Sequence, residues 1–132
     1  MNETNKNTAS PLPVSHSKII LVAEDVNSNY LLIKAFIGKL YTLVHAENGL
    51  EAIEKCKSCN PDLILMDIKM PEMDGLEATR IIRTFSADVP IIALTAFAFD
   101  SDKQRALDAG CNGFLTKPIA KDTLVAMIEK YI

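Results

Sequence analysis

Ile19-Ile20-Leu21-Val22-Ala23, followed at once by Glu24-Asp25, is the stretch on which the fold turns. Apolar residues in a row without alternation suit a strand buried on both faces, as strands are in a parallel sheet covered by helices. The two carboxylates then mark where the chain leaves the core. The same pattern recurs at Leu63-Ile64-Leu65-Met66, ending in Asp67, and at Val89-Pro90-Ile91-Ile92-Ala93-Leu94, ending in Thr95. Weaker strands are expected over 42–46 and 113–115, the second running on to Lys117-Pro118.

Between these runs the period becomes helical. Residues 27–39 place Leu31, Leu32, Ala35 and Phe36 at helical spacing, and an Asn48-x-x-Glu51 capping box opens a helix over 49–56. Asp74-x-x-Glu77 opens a third helix that runs to 84, with Ala78, Ile81 and Ile82 on one side. Ser101-x-x-Gln104 opens a fourth, which Gly110 closes. The last, over 120–131, repeats Leu124, Ile128 and Ile132 beside Met127 and Tyr131; Ala120 offers no capping acceptor, but Asp122 suits the helix dipole. Strand therefore alternates with helix throughout. Parallel strands joined by right-handed helical crossovers give an α/β, doubly wound, three-layer sandwich. Ligands in such folds sit at the carboxyl ends of the strands, near the topological switch point.

Residues 1–17, rich in Asn, Thr, Ser and Pro, cannot repay the entropy of ordering and read as a linker or tail, leaving 18–132 as the domain. The chain has 132 residues, 48% of them hydrophobic, enough for one core without staples. A formal charge of −3 with scattered Lys and Arg argues against nucleic acid as a partner. No apolar run is long enough to span a bilayer, so no direct membrane contact is expected. Three cysteines, an odd number, fit a reducing compartment, and a cytoplasmic location is expected.

The strand ends bring together Glu24-Asp25, Asp67, Thr95 and Lys117. Clustered carboxylates repel unless a cation joins them, and hard oxygen ligands suit Mg2+, with Mn2+ as a substitute. A lysine and a hydroxyl opposite complete a site for a phosphoryl group, with a carboxylate as nucleophile.

LVAEDVNSN, LILMDIKMPEMDG, IIALTAFAF and GFLTKP, in this order, resemble the receiver domain of two-component response regulators. Their wording is most similar to the receivers of hybrid sensor histidine kinases. The resemblance covers 18–132 and implies a flavodoxin-like fold, a five-stranded parallel sheet in the order 2-1-3-4-5 with five helices. It makes Asp67 the phosphoacceptor. Glu24, Asp25, Asp67 and the backbone carbonyl of Lys69 would hold Mg2+. Thr95 and the Ala96 amide would bond the phosphoryl oxygens, and Lys117 would pair with them. Phe114 matches an aromatic whose rotamer reports phosphorylation, and Pro118 a proline whose preceding peptide is usually cis. The phosphoryl donor would be a histidine kinase or a histidine phosphotransfer domain. The surface that changes would be helix 4, strand 5 and helix 5, which could also dimerise.

Some residues depart from the pattern or invite other readings. Glu24 stands where the family has a shorter Asp, so water-mediated metal contact is expected there, with Asp25 as the direct ligand. Lys69 and Phe97 stand at positions that, by the resemblance, border the path of attacking water, and could alter the lifetime of a phosphoaspartate. Cys56-x-x-Cys59 trails off the carboxyl end of a helix, the wrong place for a reactive pair, and no second pair has zinc spacing. His45 reads as an edge or surface residue, and Met70 and Met73 as packing. The leader, with its prolines, points to one piece of a longer relay protein. Alternatives are a stand-alone single-domain response regulator, or a phosphoaspartate-forming phosphatase, which would need an acid where Lys69 stands.

Overall fold

In the computed structural model the described residues are 17–96 and 99–132. The expected linker therefore lies, except for Ser17, outside the described residues, and so does Phe97. The elements are β1 (Ile19–Ala23), α1 (Asn27–Ile37), β2 (Thr42–Ala46), α2 (Gly49–Cys59), β3 (Leu63–Asp67), α3 (Gly75–Arg83), β4 (Ile91–Thr95), α4 (Asp100–Ala109), β5 (Gly113–Thr116) and α5 (Lys121–Tyr131). All pairings are parallel and the order is β2-β1-β3-β4-β5, the doubly wound sheet that the sequence predicts.

Alternate side chains of each strand face opposite ways, so each strand feeds two cores. Ile20, Val22, Leu63, Leu65, Ile92 and Leu94 pack with Ile33 and Ile37 of α1 and Leu124 and Ile128 of α5. Leu21, Ala23, Ile64, Met66, Ile91 and Ala93 pack with Ala52 and Ile53 of α2, Ala78 and Ile82 of α3 and Ala106 of α4. This two-sided burial is why the central strands read as unbroken apolar runs.

Element ends differ from the sequence reading in instructive places. β4 begins at Ile91, because Pro90 has no amide to donate; its carbonyl accepts from Ile64 instead. α2 continues past Cys56 to Cys59 and stops at Asn60, whose φ of 48° is left-handed. The Asn48 side chain accepts from the Glu51 amide at 2.8 Å, but Glu51 reaches back to Glu47 rather than to Asn48. The Ser101-x-x-Gln104 box does not form. α4 opens two residues earlier, behind an extended Phe99, with Asp100 and Asp102 in its first turn, where the dipole favours carboxylates, and Gln104 bonds forward to Asp108. Gly110 closes that helix at φ 114°, as expected.

Gly75 brings α3 against the end of β3. A Cβ there would lie 2.1 Å from the Asp67 carbonyl oxygen, while the Gly75 amide donates to Ile68 O at 2.9 Å. Only glycine permits that approach.

Candidate functional site

Four of the five strands deliver polar side chains to the site at their carboxyl ends. Glu24 follows β1 and is fully buried; its amide makes the strand's last sheet bond, to Ala46 O at 2.9 Å. Asp67 is the last residue of β3 and 3% exposed, with the Lys69 amide donating to its Oδ1 at 3.2 Å. Lys117, just past β5, enters from the other side and is fixed by its own amide, which donates to Thr95 O at 2.7 Å. Its Nζ lies 2.9 Å from Glu24 Oε1 and 3.1 Å from Asp67 Oδ2. The Lys117–Pro118 peptide is cis, as the resemblance implies.

One half-buried ammonium is thus shared by two buried carboxylates, and a third waits at the rim. Asp25 is exposed, and oxygens of Glu24, Asp25 and Asp67 lie within 4.8 Å of one another. The charges do not balance. Burial, and then the Glu24 carboxylate beside it, push the Asp67 carboxyl up to about 7, against the pull of Lys117. Burial acts on Glu24 in the same sense, but bonds to Lys117 and Asp67 and the Lys117 charge outweigh it and hold Glu24 below the usual range. Lys117 is lowered by burial and raised more by its two partners, so it stays charged. Asp67 is thus the carboxyl of the pair that holds a proton more readily, and a dication at the cluster would relieve the same excess of negative charge. The donor set fits one: all oxygen and anionic, with a buried Glu24 Oε1 that pairs with Lys117 but takes no well-angled hydrogen bond.

Thr95 ends β4, almost fully buried, on the wall of a cleft of about 210 Å³ that Lys69, Asp74, Asp102 and Arg105 also line. Ala96, next in the chain, is exposed. Phe114 is half-buried on β5 with Lys103 Nζ 4.9 Å from its ring centroid. The structure therefore gathers Glu24, Asp67 and Lys117 into contact, keeps Asp25 within 4.8 Å of the two carboxylates, places Thr95 and Ala96 at the end of β4, and leaves Phe114 on β5.

The cysteines take no part. Burial pushes the thiols of Cys56, Cys59 and Cys111 up, which keeps them protonated. Met70 and Met73 pack on the α2–α3 side of the core, as expected. His45 is more than an edge residue: its Nε2 lies 2.8 Å from Glu24 O, and its ring stacks on Tyr30. Neither contact leaves a local signal in the sequence, since each joins residues far apart in the chain. Among the described residues no helix is long and apolar enough to cross a membrane.

The sequence model of the response regulator receiver domain matches residues 20–129. The polar-differentiation response regulator DivK of Brucella anthropi is 36% identical over 118 residues, covering 87% of this chain and 96% of that protein. Among solved structures, the receiver domain of sensor histidine kinase PA1611 from Pseudomonas aeruginosa, with a magnesium ion in its active-site cleft, is 36% identical with a TM-score of 0.81, over 87% of this chain and 97% of that one. The receiver domain of Saccharomyces cerevisiae Ssk1, solved with the histidine phosphotransfer protein Ypd1, is 33% identical with a TM-score of 0.82, over 87% of this chain and 88% of that one.

Proposed function

The chain belongs to the response regulator receiver domain family, whose work is two-component phosphorelay signalling, and on that premise we propose that Asp67 takes a phosphoryl group from a phosphohistidine. The observation that carries this is the half-buried Lys117 ammonium bridging the buried carboxylates of Glu24 and Asp67 at the end of the central strand. It fixes one Asp67 oxygen from the side and supplies positive charge where a phosphoryl group would arrive.

The site residues divide the chemistry among them. Asp67 is the nucleophile: its carboxylate oxygen forms a bond to phosphorus as the P–N bond breaks, and the departing imidazole keeps the electron pair and takes up a proton. Lys117 pairs with the arriving oxygens. The Thr95 hydroxyl and the Ala96 amide donate to them, which orients the group. Asp25 and Asp67, with the Lys69 carbonyl, would hold Mg2+ or Mn2+ directly, and Glu24, already engaged by Lys117, would act through water. Bound there, the dication supplies charge neutralisation. Water attacking the same phosphorus then breaks the acyl phosphate, releases phosphate and regenerates Asp67.

The donor is a histidine kinase or a histidine phosphotransfer domain. Supporting this, exposed Val26, Leu31 and Leu32 lie on and beside α1, next to a pocket that Leu32 and Ile119 line together with Lys117. An apolar shelf at the mouth of a charged site is what a helical donor domain needs to dock its histidine in line. The relatives include a receiver of a sensor kinase and a response regulator of one-receiver length at the same 36% identity, so the same chemistry is proposed for a hybrid kinase or for a separate regulator. A cytoplasmic location goes with either.

Phosphorylation would draw Thr95 toward the new oxygens, let Phe114 turn, and move α4 with them, changing the face of α4, β5 and α5. That face is also the one through which the domain would dimerise.

The test is incubation with Mg2+ and acetyl phosphate, followed by intact mass. Addition of one phosphoryl group to the parent and none to Asp67→Asn is expected. No addition, or equal addition to the variant, would overturn the assignment.

A further inference from the structure

We infer that His45 is a positioning residue for the metal-binding loop, holding the Glu24 carbonyl while Tyr30 holds its ring. This rests on the proposal that Glu24, Asp25 and Asp67 bind Mg2+, and goes beyond it by naming what sets the affinity.

The need arises where β1 leaves the sheet. Glu24 N makes the last ladder bond, to Ala46 O at 2.9 Å. The Glu24 carbonyl would next require an amide further along β2, but β2 ends at Ala46 and Asn48 is already the N-cap of α2. The His45 side chain fills the place, with Nε2 at 2.8 Å from Glu24 O. A carbonyl can only accept, so Nε2 is the protonated nitrogen.

The ring is itself held on its face. Tyr30 stacks on it with centroids 3.8 Å apart and planes 3° from parallel. Tyr30 belongs to the first turn of α1, where its amide donates to Val26 O at 3.2 Å. From the other side, Lys55 of α2 donates to the His45 carbonyl. The imidazole therefore ties the start of the loop, at Glu24, to its end, at the opening of α1.

Between those two points lies Asp25, exposed, with its position set by the main chain on either side. The N-cap of α1, Val26, has no capping side chain, and the bond from its amide to Glu24 Oε2 at 3.2 Å holds the Glu24 carboxylate but not its carbonyl, which is left to His45. Removing the His45 donor would strip the Glu24 carbonyl of its bond and let Asp25 drift from Asp67. The entropy of restoring the loop would then be charged against metal binding.

The experiment is Mg2+ titration of the full chain by calorimetry at pH 8, on the parent, His45→Val and His45→Gln, with melting temperatures in EDTA alongside. Loss of one hydrogen bond at the loop should weaken Mg2+ binding by roughly three- to tenfold in His45→Val. His45→Gln, whose amide nitrogen reaches the same point, should bind as the parent does. A metal affinity unchanged in His45→Val, with only the melting temperature lowered, would make His45 merely structural and overturn the inference; so would His45→Gln binding as weakly as His45→Val. Should His45→Val not fold, the parent decides by NMR: the His45 ring resonances should shift along the same Mg2+ saturation curve as the Asp25 amide, and a ring that stays still overturns the inference. A parent that binds no Mg2+ overturns the proposed function together with this inference. A parent that binds, with His45→Val equal to it, overturns this inference alone.

Discussion

Asp67→Asn should make the metal-free protein more stable, by an amount that depends on pH. Ionised Asp67 shares a buried site with Glu24, both paired to the one Lys117 ammonium, and its carboxyl is pushed from 3.8 to about 7. At 1.36 kcal/mol for each pH unit, that gap corresponds to roughly 4 kcal/mol of native-state penalty on the ionised form. The amide side chain, isosteric with the protonated acid, escapes the penalty but exchanges the ion pair with Lys117 at 3.1 Å for a weaker bond to a neutral acceptor. A net gain of about 2 kcal/mol at pH 8 is therefore expected, a rise of roughly 5–10 °C in melting temperature for a domain of this size.

The sign follows from where the proton is held. A carboxyl raised in the folded state gives stability that is full below its unfolded value of 3.8 and lost as pH rises through about 7. The advantage of Asp67→Asn should thus be greatest at pH 8 and shrink steadily toward pH 5. The assay is thermal unfolding followed by circular dichroism in EDTA at pH 5, 6, 7 and 8. Saturating Mg2+ should reverse the order at pH 8, since it stabilises the parent far more than the variant. A difference that does not vary with pH, or a variant that melts lower at pH 8, would refute the claim that Asp67 is the strained member of the cluster.

Two further outcomes follow from the same geometry. Lys117→Met leaves Glu24 and Asp67 facing each other without a cation and should cost about 3 kcal/mol at pH 8, less at pH 5 where Asp67 keeps its proton, as read from urea unfolding at both pH values. Leu32→Asp, at a position 42% exposed on α1, should slow transfer from a histidine phosphotransfer protein while leaving labelling by acetyl phosphate unchanged, as a time course of phosphorylation with each donor will show.

What the sequence revealed and what it hid have physical causes. β1, β3 and β4 announce themselves because both faces are buried, so Ile20 and Leu21 are apolar for different cores. The site was legible for a related reason: once strands are parallel, their ends share an edge, and Glu24, Asp67, Thr95 and Lys117 need only be counted there. Helix boundaries were less legible where no side chain marks them. Phe99 opens α4 without a capping bond, so Ser101 looked the better start. Asn60 ends α2 by a left-handed turn that Asn shares with many loop positions. The contacts of His45 and Arg83 were hidden altogether, because a side chain's partner across the fold leaves no periodicity in the chain.

The Arg83 contacts bear on how α4 can move. Arg83, at the end of α3, donates to Gly110 O at 3.0 Å and to Asn112 Oδ1 at 2.8 Å, and its aliphatic stem packs on Gly110. Asn112 Oδ1 also accepts from Ile91 N at 2.8 Å, and Asn112 O accepts from Tyr131 of α5 at 3.0 Å. The carboxyl end of α4 is therefore cross-linked to α3, β4 and α5, whereas its amino end has no side-chain cap. Near that end, Thr95 faces the same side of the sheet as Ala93, by strand alternation, and Ala93 pairs in register with Phe114. Phe114 packs against the same core cluster as Ala93, with Lys103 of α4 resting over its ring. A pull on Thr95 would then swing α4 about Gly110 rather than slide it. Amide exchange with and without a bound phosphoryl mimic should accordingly change most over 100–104 and least over 106–112. Equal change along the whole helix would refute the pivot.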